Sequence, residues 1–506
     1  MTISADKGPE RVVAQVGAKR GTGLAADGFM TRTTLFCPAC QSEYDPADGH
    51  FACPKAGDGR EHILDARIEA SAELAEEFTE SWREHPHDPL RAFACLGAAQ
   101  GVAGRPAFRD AAGRLQEGLD RLEGAPLGVT PLVQTPKLAK ALGMTGTLAV
   151  KDETGQPGGS HKVRHLAGTM LYLEALRAGG PRRPLAISSC GNAALAAACV
   201  ARAAGYSLTA FVPEDVHPDV LRLLRERGVN PEVVARLSTG GGDPCYLAFR
   251  DAVRRGAVPF CCSGRDNWSN IEGGQSLGYE AALQWQALAQ TPGHIVLQIG
   301  GGALARSVAG AWSNLEALGV VRELPRIHAC QTEGAFPFAR AWLLLLAEIA
   351  RNAGCAFPPA SGYATLAGVR QVLSEEQDAI ATVVQFTRTA FRSSPVQGAL
   401  RAAAASPDSF MWAWDGAPPH SLAHGILDDE TYDWYFLAQA LLRTGGQAVV
   451  TPEALVAQAH DLALAHTPVS VSATGSAGLA GLLALRQAGI VPDNARVGLF
   501  FTGLNR

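Results

Sequence analysis

The sequence predicts an α/β protein in which parallel strands alternate with helices. From about residue 128, short apolar runs alternate with helical stretches, and glycines follow several of the helices. Apolar residues make up 47% of the 506 residues and charged residues 18%, with a net charge of −5, so a disordered chain or a basic nucleic-acid-binding surface fits poorly. Helix-connected parallel strands form a covered sheet that binds ligands at the strands' carboxyl ends.

The predicted elements follow in order along the chain. Residues 68–123 have the composition of surface helices. The predicted strands are Thr147–Val150, Leu185–Ser188, Ser207–Val212, Glu232–Ala235, His294–Ile299 and Arg326–Gln331. The predicted helices are His165–Arg177, Ala193–Ala204, Asp219–Arg227, Gly274–Leu288 and Leu304–Leu318. A Leu-rich helix around Trp342–Ile349 and then irregular stretches are expected within residues 335–440, and the alternation resumes at Gln447.

Composition also indicates where in the cell the protein is located. Eleven cysteines are too few for a disulfide scaffold, and the first residues lack the apolar core of a signal peptide. Two uncharged runs, Pro184–Ala201 and Thr467–Leu485, approach membrane-spanning length, but small polar residues interrupt both. The sequence therefore predicts a cytoplasmic protein with neither a membrane nor a nucleic acid as partner.

A lysine stands at a glycine-led turn between a predicted strand and a predicted helix. The turn Gly158–Lys162 would place the Lys162 amine in the ligand crevice, as a Schiff-base lysine requires. A phosphate-binding or surface lysine fits this pattern as well. Lys162 is the last of seven lysines, so the chain offers few other amines.

Three further turns at strand ends could bind parts of one ligand. Backbone amides of Ser188–Asn192 could hold a carboxylate and Asn192 a phenolate oxygen, although an Asn-capped turn explains the same residues. The glycine triplet in Ile299–Leu304 exposes amides to a phosphate but matches the G-x-G-x-x-G fingerprint only in part. A hydroxyl in Ser472–Ser476 could bind a ring nitrogen, and a helix cap explains it more simply.

Together the four turns resemble the pyridoxal-phosphate enzymes of the tryptophan synthase β type, called fold type II, and among them threonine synthase most. The resemblance covers Gly128–Gly334 and Gly445–Leu504. It includes Thr130-Pro131-Leu132, Lys151-Asp152-Glu153, Pro157 to Lys162, Gly191-Asn192, Glu272-Gly273, Gly300 to Leu304, Gln331 to Gly334, and Gly445 to Val449 leading to Thr474. It implies two parallel-sheet, three-layer domains and pyridoxal 5'-phosphate as cofactor.

The resemblance also implies a role for each matching residue. Lys162 would form the Schiff base and, once displaced by substrate, take the α-proton. The cofactor would be bound by Lys162, His161, Asn192, Gly300, Gly301, Gly302, Ala303 and Thr474, with His161 and the glycine turn at the phosphate, Asn192 at the ring hydroxyl and Thr474 at the ring nitrogen. The substrate would be bound by Ser189, Cys190 and Gly191.

Some positions depart from the threonine synthase pattern. His161 replaces the usual Phe, as in tryptophan synthase β, and Val163 replaces an Asp. Cys190-Gly191-Asn192-Ala193-Ala194 replaces the usual Thr-Gly-Asn-Thr-Ser loop, which removes hydroxyls that could bind a second phosphate. These changes bear on the substrate and leave the fold and cofactor untouched.

The predicted function is elimination or replacement on the side chain of a small α-amino acid, with threonine synthase acting on O-phosphohomoserine as the nearest named activity. One alternative is β-replacement on serine or O-phosphoserine, as in cysteate or cysteine synthase, and another is an amino-acid ammonia lyase. A remote alternative is a cofactor-binding protein without turnover. A homodimer is expected.

The chain is predicted to divide into four parts. Residues 1–65 form a tail and a zinc-ribbon-like segment, in which Cys37, Cys40 and Cys53 with His62 or His50 could hold a structural zinc ion, although a ribbon held by packing alone is equally compatible. Residues 66–165 carry helices and the start of a large cofactor domain. Residues 166–262 form a small α/β domain, and residues 263–506 complete the large domain, with a family-variable insertion at about 335–440.

Overall fold

Three β-sheets organise the part of the chain that the structure describes. The computed structural model describes residues 32–235, 243–363 and 365–506, so the predicted tail up to residue 31 lies outside the described residues. The strands are β1 (Thr33–Cys37), β2 (Ser42–Tyr44), β3 (Asp65–Ile68), β4 (Leu132–Gln134), β5 (Leu148–Asp152), β6 (Leu185–Ser188), β7 (Leu208–Pro213), β8 (Glu232–Val234), β9 (Val258–Pro259), β10 (His294–Gln298), β11 (Arg326–Thr332), β12 (Ala448–Thr451) and β13 (Val497–Phe501).

The two larger sheets are parallel, which confirms the predicted α/β class. The six-stranded sheet has the order β12-β11-β10-β13-β5-β4, in which only β4 runs antiparallel to its neighbour among the described strands. The four-stranded sheet has the order β8-β7-β6-β9 and is parallel throughout. A small antiparallel sheet, β2-β1-β3, precedes both.

Helices connect the strands and cover the sheets. They are α1 (Ala72–Glu84), α2 (Pro89–Ala92), α3 (Ala98–Ala103), α4 (Arg105–Glu123), α5 (Pro136–Ala141), α6 (Lys162–Arg177), α7 (Asn192–Ala203), α8 (Pro218–Glu226), α9 (Pro244–Arg254), α10 (Ser269–Ala287), α11 (Ala303–Ala317), α12 (Pro337–Ala353), α13 (Leu366–Glu375), α14 (Gln377–Thr389), α15 (Ser394–Ala405), α16 (Trp434–Thr444), α17 (Glu453–His466) and α18 (Ala473–Gln487). Short 3-10 turns include Pro157–Gly159, just before α6.

Side chains that alternate along β10 build a core on each face of the six-stranded sheet. Ile295 and Leu297 are buried in one cluster with Trp312 of α11. Val296 lies in another cluster, with Leu482 of α18. A third cluster surrounds the four-stranded sheet. The sheets thus form the middle layer between helices, as the near-continuous apolar strands predict.

Two predicted helix starts are wrong. Helix α6 begins at Lys162 rather than at His165, directly after the glycine turn. Helix α10 begins at Ser269 rather than at Gly274, because its glycines lie inside the helix, where they allow α6 to approach closely. A Cβ atom on Gly273 would lie 2.7 Å from the Arg164 carbonyl oxygen. Here the glycines mark helix packing and not a helix boundary.

Residues 335–440 contain more helix than the sequence predicts. The Leu-rich helix extends over Pro337–Ala353, and α13, α14 and α15 occupy part of the stretch that was expected to be irregular. Pro395 lies in the first turn of α15, where proline is tolerated, so it begins this helix instead of interrupting it. The segment between α15 and α16 is largely irregular and includes the short 3-10 turn His424–Ile426. The division into domains at residues 66, 166 and 263 remains a prediction.

Candidate functional site

The four predicted turns each lead into a helix, and three of them follow the carboxyl end of a parallel strand. Lys162, Asn192 and Ala303 are the first residues of α6, α7 and α11, and Thr474 lies in the first turn of α18. The helices begin after β5, β6, β10 and the bridge between Val471 and Leu504. Backbone amides at helix starts carry partial positive charge, which suits anionic ligand groups.

Lys162 is half-buried and lies near an acidic side chain that the sequence did not single out. Desolvation raises the pKa of Asp428 to about 6, while the positive charge of Lys162 opposes this increase. Burial likewise raises the pKa of Cys262, again against the charge of Lys162. The amine therefore lies within electrostatic reach of a carboxyl and a thiol.

Two polar atoms immediately before Lys162 are buried without a partner. Within the described part of the chain, Ser160 Oγ and His161 Nε2 make no hydrogen bond. His161 Nδ1 lies 3.2 Å from the Thr502 carbonyl oxygen, and since a carbonyl only accepts, Nδ1 carries the ring proton. Burial and then the charge of Lys162 lower the pKa of His161, so the ring is neutral and Nε2 is an acceptor. Such orphaned atoms are typical of a ligand site.

The glycine turn after β10 can be approached closely only because it lacks side chains. A Cβ atom would lie 2.1 Å from Asp428 Oδ2 at Gly300 and 2.9 Å from Tyr432 Cδ2 at Gly301. Gly302 has φ +94°, a conformation that favours glycine, and it is the N-terminal cap of α11. The turn thus directs its amides and the start of a fifteen-residue helix towards one small space.

Asp428 is a site residue that the sequence analysis missed. Its Oδ2 would lie 2.1 Å from a Cβ atom on Gly300 and 3.7 Å from one on Gly301, so the carboxyl group lies against the turn predicted to bind phosphate. Asp428 lies in the irregular segment before α16, far along the chain from the motifs that identify the site. In the sequence, Asp428 is the first residue of the acidic run Asp428-Asp429-Glu430, and no local pattern there indicates a site.

Arg506 is a second residue that the sequence did not indicate. Its Nη1 donates a hydrogen bond of 2.6 Å to Asn192 Oδ1, and its Nη2 donates to the Gly158 carbonyl oxygen. A Cβ atom on Gly503 would lie 2.8 Å from Asn192 Nδ2, so the backbone of the C-terminal segment passes directly beside the amide. With Oδ1 engaged, Nδ2 is the part of the amide that can donate to a ligand.

The hydroxyl of Thr474 is distinct from the helix cap beside it. Ser472 Oγ accepts from the Gly475 N–H at 3.1 Å and caps α18, which accounts for the cap that the sequence suggested. Thr474 Oγ1 accepts from the Gly425 N–H at 3.1 Å. Its proton therefore remains available to an acceptor such as a ring nitrogen.

The loop predicted to bind substrate lies between β6 and α7. Ser189 Oγ accepts a hydrogen bond of 3.4 Å from the Gly191 N–H, and the Cys190 side chain is exposed. Because the loop ends at the start of α7, its amides lie at a helix N-terminus, the position that the sequence analysis expected for carboxylate binding.

A network of buried charges supports the start of α6. Arg164, two residues after Lys162, donates from Nε to Glu153 Oε2 at 2.7 Å and from Nη1 to Glu280 Oε2 at 2.9 Å. Lys151 pairs with the other oxygen of Glu280, and these side chains are fully buried. Buried charges that are paired in this way fix the positions of the elements that carry them.

The predicted metal ligands also meet in space. Cys37, Cys40, Cys53 and His62 present ligand atoms that all lie within 4.8 Å of one another. His62 Nδ1 lies 3.4 Å from Cys37 Sγ and 3.3 Å from Cys53 Sγ, and the Cys40 and Cys53 sulfurs are 3.7 Å apart. His62 Nε2 lies 2.9 Å from Asp58 Oδ1. This cluster includes His62, one of the two histidines that the sequence left open.

Residues 125–344 match the family model described as pyridoxal-phosphate dependent enzyme. This matched segment has the sequence pattern of the pyridoxal-phosphate-dependent family. The matched range contains Lys162, Asn192 and the glycine turn at Gly300. The resemblance inferred from the sequence motifs is thereby confirmed for the family.

Individual relatives within the pyridoxal-phosphate-dependent family differ in activity. The chain is 30% identical over 221 residues to a serine dehydratase-like protein from Homo sapiens, which covers 42% of this chain and 58% of the human protein. It is 29% identical over 215 residues to threonine synthase from Synechocystis sp., which covers 42% of this chain and 52% of that protein. The chain thus matches little more than half the length of these curated relatives.

The fold is similar to that of maize serine racemase. The TM-score is 0.51 at 16% sequence identity, and the alignment covers 78% of this chain and 93% of the maize protein. At this identity the likeness concerns the fold, which is that of the fold type II enzymes. Among the described residues, no helix combines the length and the apolar character needed to cross a membrane.

Proposed function

We propose that the chain is a pyridoxal-phosphate-dependent enzyme that eliminates or replaces a side-chain group of a small α-amino acid. The observation that carries the proposal is the position of Lys162 at the start of α6, beside the carboxylate that lies on the glycine turn. The orphaned Ser160 hydroxyl and the side-chain-free turn fit a phosphorylated ligand. The family match supports the same cofactor.

The proposed cofactor contacts follow from the donors that the site leaves available. Lys162 would hold the cofactor covalently, and the amides of Gly300, Gly301, Gly302 and Ala303 would bind its phosphate. Asn192 Nδ2 would donate to the ring hydroxyl oxygen, because Arg506 occupies Oδ1. Thr474 would donate its hydroxyl proton to the ring nitrogen, because Gly425 already donates to its oxygen.

His161 has a narrower proposed role than the sequence alone indicates. Its neutral ring, protonated at Nδ1, can accept at Nε2 but cannot donate there. Contact with a phosphate oxygen would therefore require a proton on the phosphate or a second proton on the ring. Because Nε2 is buried, its contact with the phosphate would depend on the protonation of both groups.

The chain's own residues supply the proposed proton transfer and substrate binding. When bound, pyridoxal phosphate acidifies the α-proton of an amino acid joined to it. The Lys162 amine, released from the cofactor by the substrate, would accept that proton. The backbone amides of Ser189, Cys190 and Gly191 would hold the substrate carboxylate at the start of α7.

Within this class, elimination on a hydroxyl amino acid such as serine or threonine is the activity we favour. The loop Cys190–Ala194 offers no side-chain hydroxyl to a substrate that brings a second phosphate. The likeness to a serine dehydratase-like protein supports the same substrate class. The likeness to threonine synthase supports O-phosphohomoserine as the second candidate, and β-replacement on serine or O-phosphoserine remains a further prediction.

Product analysis tests the proposed function. The cofactor-loaded protein is incubated separately with L-serine, L-threonine, O-phosphoserine and O-phosphohomoserine, with Lys162→Ala as the control. We expect ammonia and a 2-oxo acid from serine or threonine, and none from the control. Release of phosphate with formation of threonine would assign the second candidate, and no turnover of any substrate would favour a binding protein.

We further propose that Cys37, Cys40, Cys53 and His62 bind a structural zinc ion. A tetrahedral site with Zn–S distances of about 2.3 Å places its ligand atoms roughly 3.5–3.8 Å apart. The separations of 3.3, 3.4 and 3.7 Å in this cluster are close to those values. Asp58 at His62 Nε2 is the outer carboxylate that commonly orients a zinc-bound histidine. The cytoplasmic location and the homodimer remain predictions.

A further inference from the structure

Asp428 lies against the glycine turn that would bind a phosphate. A Cβ atom on Gly300 would lie 2.1 Å from Asp428 Oδ2, and a Cβ atom on Gly301 would lie 3.7 Å from the same oxygen. A phosphate bound by the amides of this turn would therefore place an anion beside the carboxyl group.

The backbone on both sides of Asp428 is held to the site. Thr431 Oγ1 donates to the Gly300 carbonyl oxygen at 2.9 Å, and the Asp433 N–H donates to the Gly301 carbonyl oxygen at 2.9 Å. On the other side, the Gly425 N–H donates to Thr474 Oγ1. Withdrawing Asp428 with its segment would break these bonds, so the backbone that carries Asp428 stays near the turn.

Asp433 adds a further attachment that does not involve the glycine turn. Its carboxylate accepts from Arg306 Nη1 at 2.7 Å and from the Gly264 N–H at 3.1 Å. The Asp433 side chain is fully buried, so breaking these bonds would leave buried charges unpaired. The segment is thus a fixed wall of the site.

The charges around Asp428 do not compensate a second anion. The titratable groups that interact electrostatically with Asp428 come from four parts of the fold. They are Lys162, Cys190, Asp243, Asp429 and Tyr432. Lys162 is the only cation among them, and the proposed bond to the cofactor would engage its amine. A carboxylate and a phosphate in contact share a proton, because two adjacent anions cannot both be fully ionised without a large cost.

We propose that Asp428 binds the cofactor's phosphate as a neutral carboxylic acid, donating its proton to a phosphate oxygen, so that cofactor binding takes up a proton. This inference rests on the proposed binding of the phosphate at Gly300–Ala303. It assigns to the segment before α16 a direct part in holding the cofactor. It also makes cofactor affinity depend on pH through one side chain.

The sign of this dependence follows from the free state. Without the cofactor, desolvation raises the pKa of Asp428 to about 6, and the adjacent phosphate would raise it further. Below about pH 6 the carboxyl group is already protonated, so its contribution to affinity is constant. Above that pH a proton must be taken up on binding, and affinity falls by about tenfold per pH unit until the pKa of the bound state is reached.

Titration of the cofactor-free full-length protein with pyridoxal 5'-phosphate between pH 5.5 and 8.5 tests the proposal. The comparison is between the wild type and Asp428→Asn, whose side chain is neutral at every pH and still donates. The ligand and Lys162 titrate equally in both proteins, so the ratio of their dissociation constants isolates Asp428. We expect a ratio near one at pH 5.5 that rises to about 100-fold in favour of the variant at pH 8.

Calorimetry and matched controls sharpen this test. Calorimetric titrations in buffers of different ionisation enthalpy measure the number of protons taken up when the cofactor binds. At pH 8 this number should be larger for the wild type than for Asp428→Asn, by at most one proton. Asp461→Asn, at an exposed carboxylate on α17, should keep the wild-type profile. Asp428→Ser should follow Asp428→Asn, which guards against one variant that folds poorly. Pyridoxal, which lacks the phosphate, should show no pH-dependent ratio.

Two results would overturn the proposal. One is a ratio of the wild-type to the Asp428→Asn dissociation constant that does not change with pH. The other is weaker binding of the cofactor by Asp428→Asn at every pH. Either result would mean that Asp428 does not bind the phosphate as an acid. Failure of both proteins to bind pyridoxal 5'-phosphate at all is a different outcome. It would remove the proposed function, and this inference with it.

Discussion

Arg506 Nη1 donates a hydrogen bond of 2.6 Å to Asn192 Oδ1, and the same guanidinium donates to the Gly158 carbonyl oxygen. One side chain from the C-terminal segment therefore joins the turn before Lys162 to the turn before α7. Its fork of donors suits such a bridge better than a single ammonium group would. The bond fixes which end of the Asn192 amide points towards a ligand.

Replacing Arg506 should weaken cofactor binding. In Arg506→Ala the Asn192 amide is free to rotate, and loss of one hydrogen bond corresponds to about 2- to 10-fold in affinity. Arg506→Lys should restore only part of the loss, because an ammonium group cannot span both acceptors with the same geometry. Titration with pyridoxal 5'-phosphate measures the change. Arg254→Ala is the control, because Arg254 pairs with Asp251 on α9. Equal affinities of the wild type, Arg506→Ala and Arg506→Lys for the cofactor would exclude this role for Arg506.

Adding one methyl group to the glycine turn should abolish cofactor binding. A Cβ atom on Gly300 would lie 2.1 Å from Asp428 Oδ2 and 3.0 Å from Ile426 Cα, so Gly300→Ala must displace the segment that covers the turn. We expect a loss of about 1–3 kcal/mol in the free energy of unfolding from this overpacking. Chemical denaturation and cofactor titration measure both effects. Gly155→Ala, with no atom within 4 Å of its Cβ position, should change neither; an unaffected Gly300→Ala would contradict the geometry.

The buried charges below the site should contribute strongly to stability. Glu280→Gln removes the anion that pairs with both Lys151 and Arg164 and leaves buried positive charge unpaired. The expected loss is about 3–5 kcal/mol in the free energy of unfolding, measured by urea denaturation. The exposed pair between Arg222 and Glu226 provides the comparison, and Arg222→Ala should cost less than about 1 kcal/mol. Similar losses for the two variants would contradict this assignment.

Metal analysis should find about one zinc ion per chain. The wild-type protein purified without chelator is expected to retain zinc, and Cys53→Ser to lose it, because three ligands bind zinc far less tightly than four. Cys355→Ser is the control, since this cysteine lies outside the cluster. Elemental analysis together with the melting temperature provides the readout. A zinc-free wild type of unchanged stability after chelation would indicate a ribbon held by packing.

Local signals in the sequence predicted the elements that position the site. The strand Leu185–Ser188 and the turn before α11 have the predicted bounds within one residue, because apolar runs and glycines act over a few neighbouring positions. The predicted start of α10 was wrong because Gly273 lies inside the helix, where it allows close contact with α6, and does not mark a helix end. Asp428 and Arg506 could not be predicted, because each reaches the site through long-range packing. No pattern of residue spacing in the sequence indicates such contacts between distant parts of the chain.

The most direct test of the central assignment locates the covalent bond between the protein and its cofactor. The loaded protein is reduced with borohydride, digested and analysed by mass spectrometry, alongside Lys162→Ala and Lys140→Ala, the latter at an exposed lysine on α5. We expect cofactor mass on the peptide that contains Lys162 in the wild type and in Lys140→Ala, and none in Lys162→Ala. Cofactor attached to another lysine, or still attached in Lys162→Ala, would contradict it.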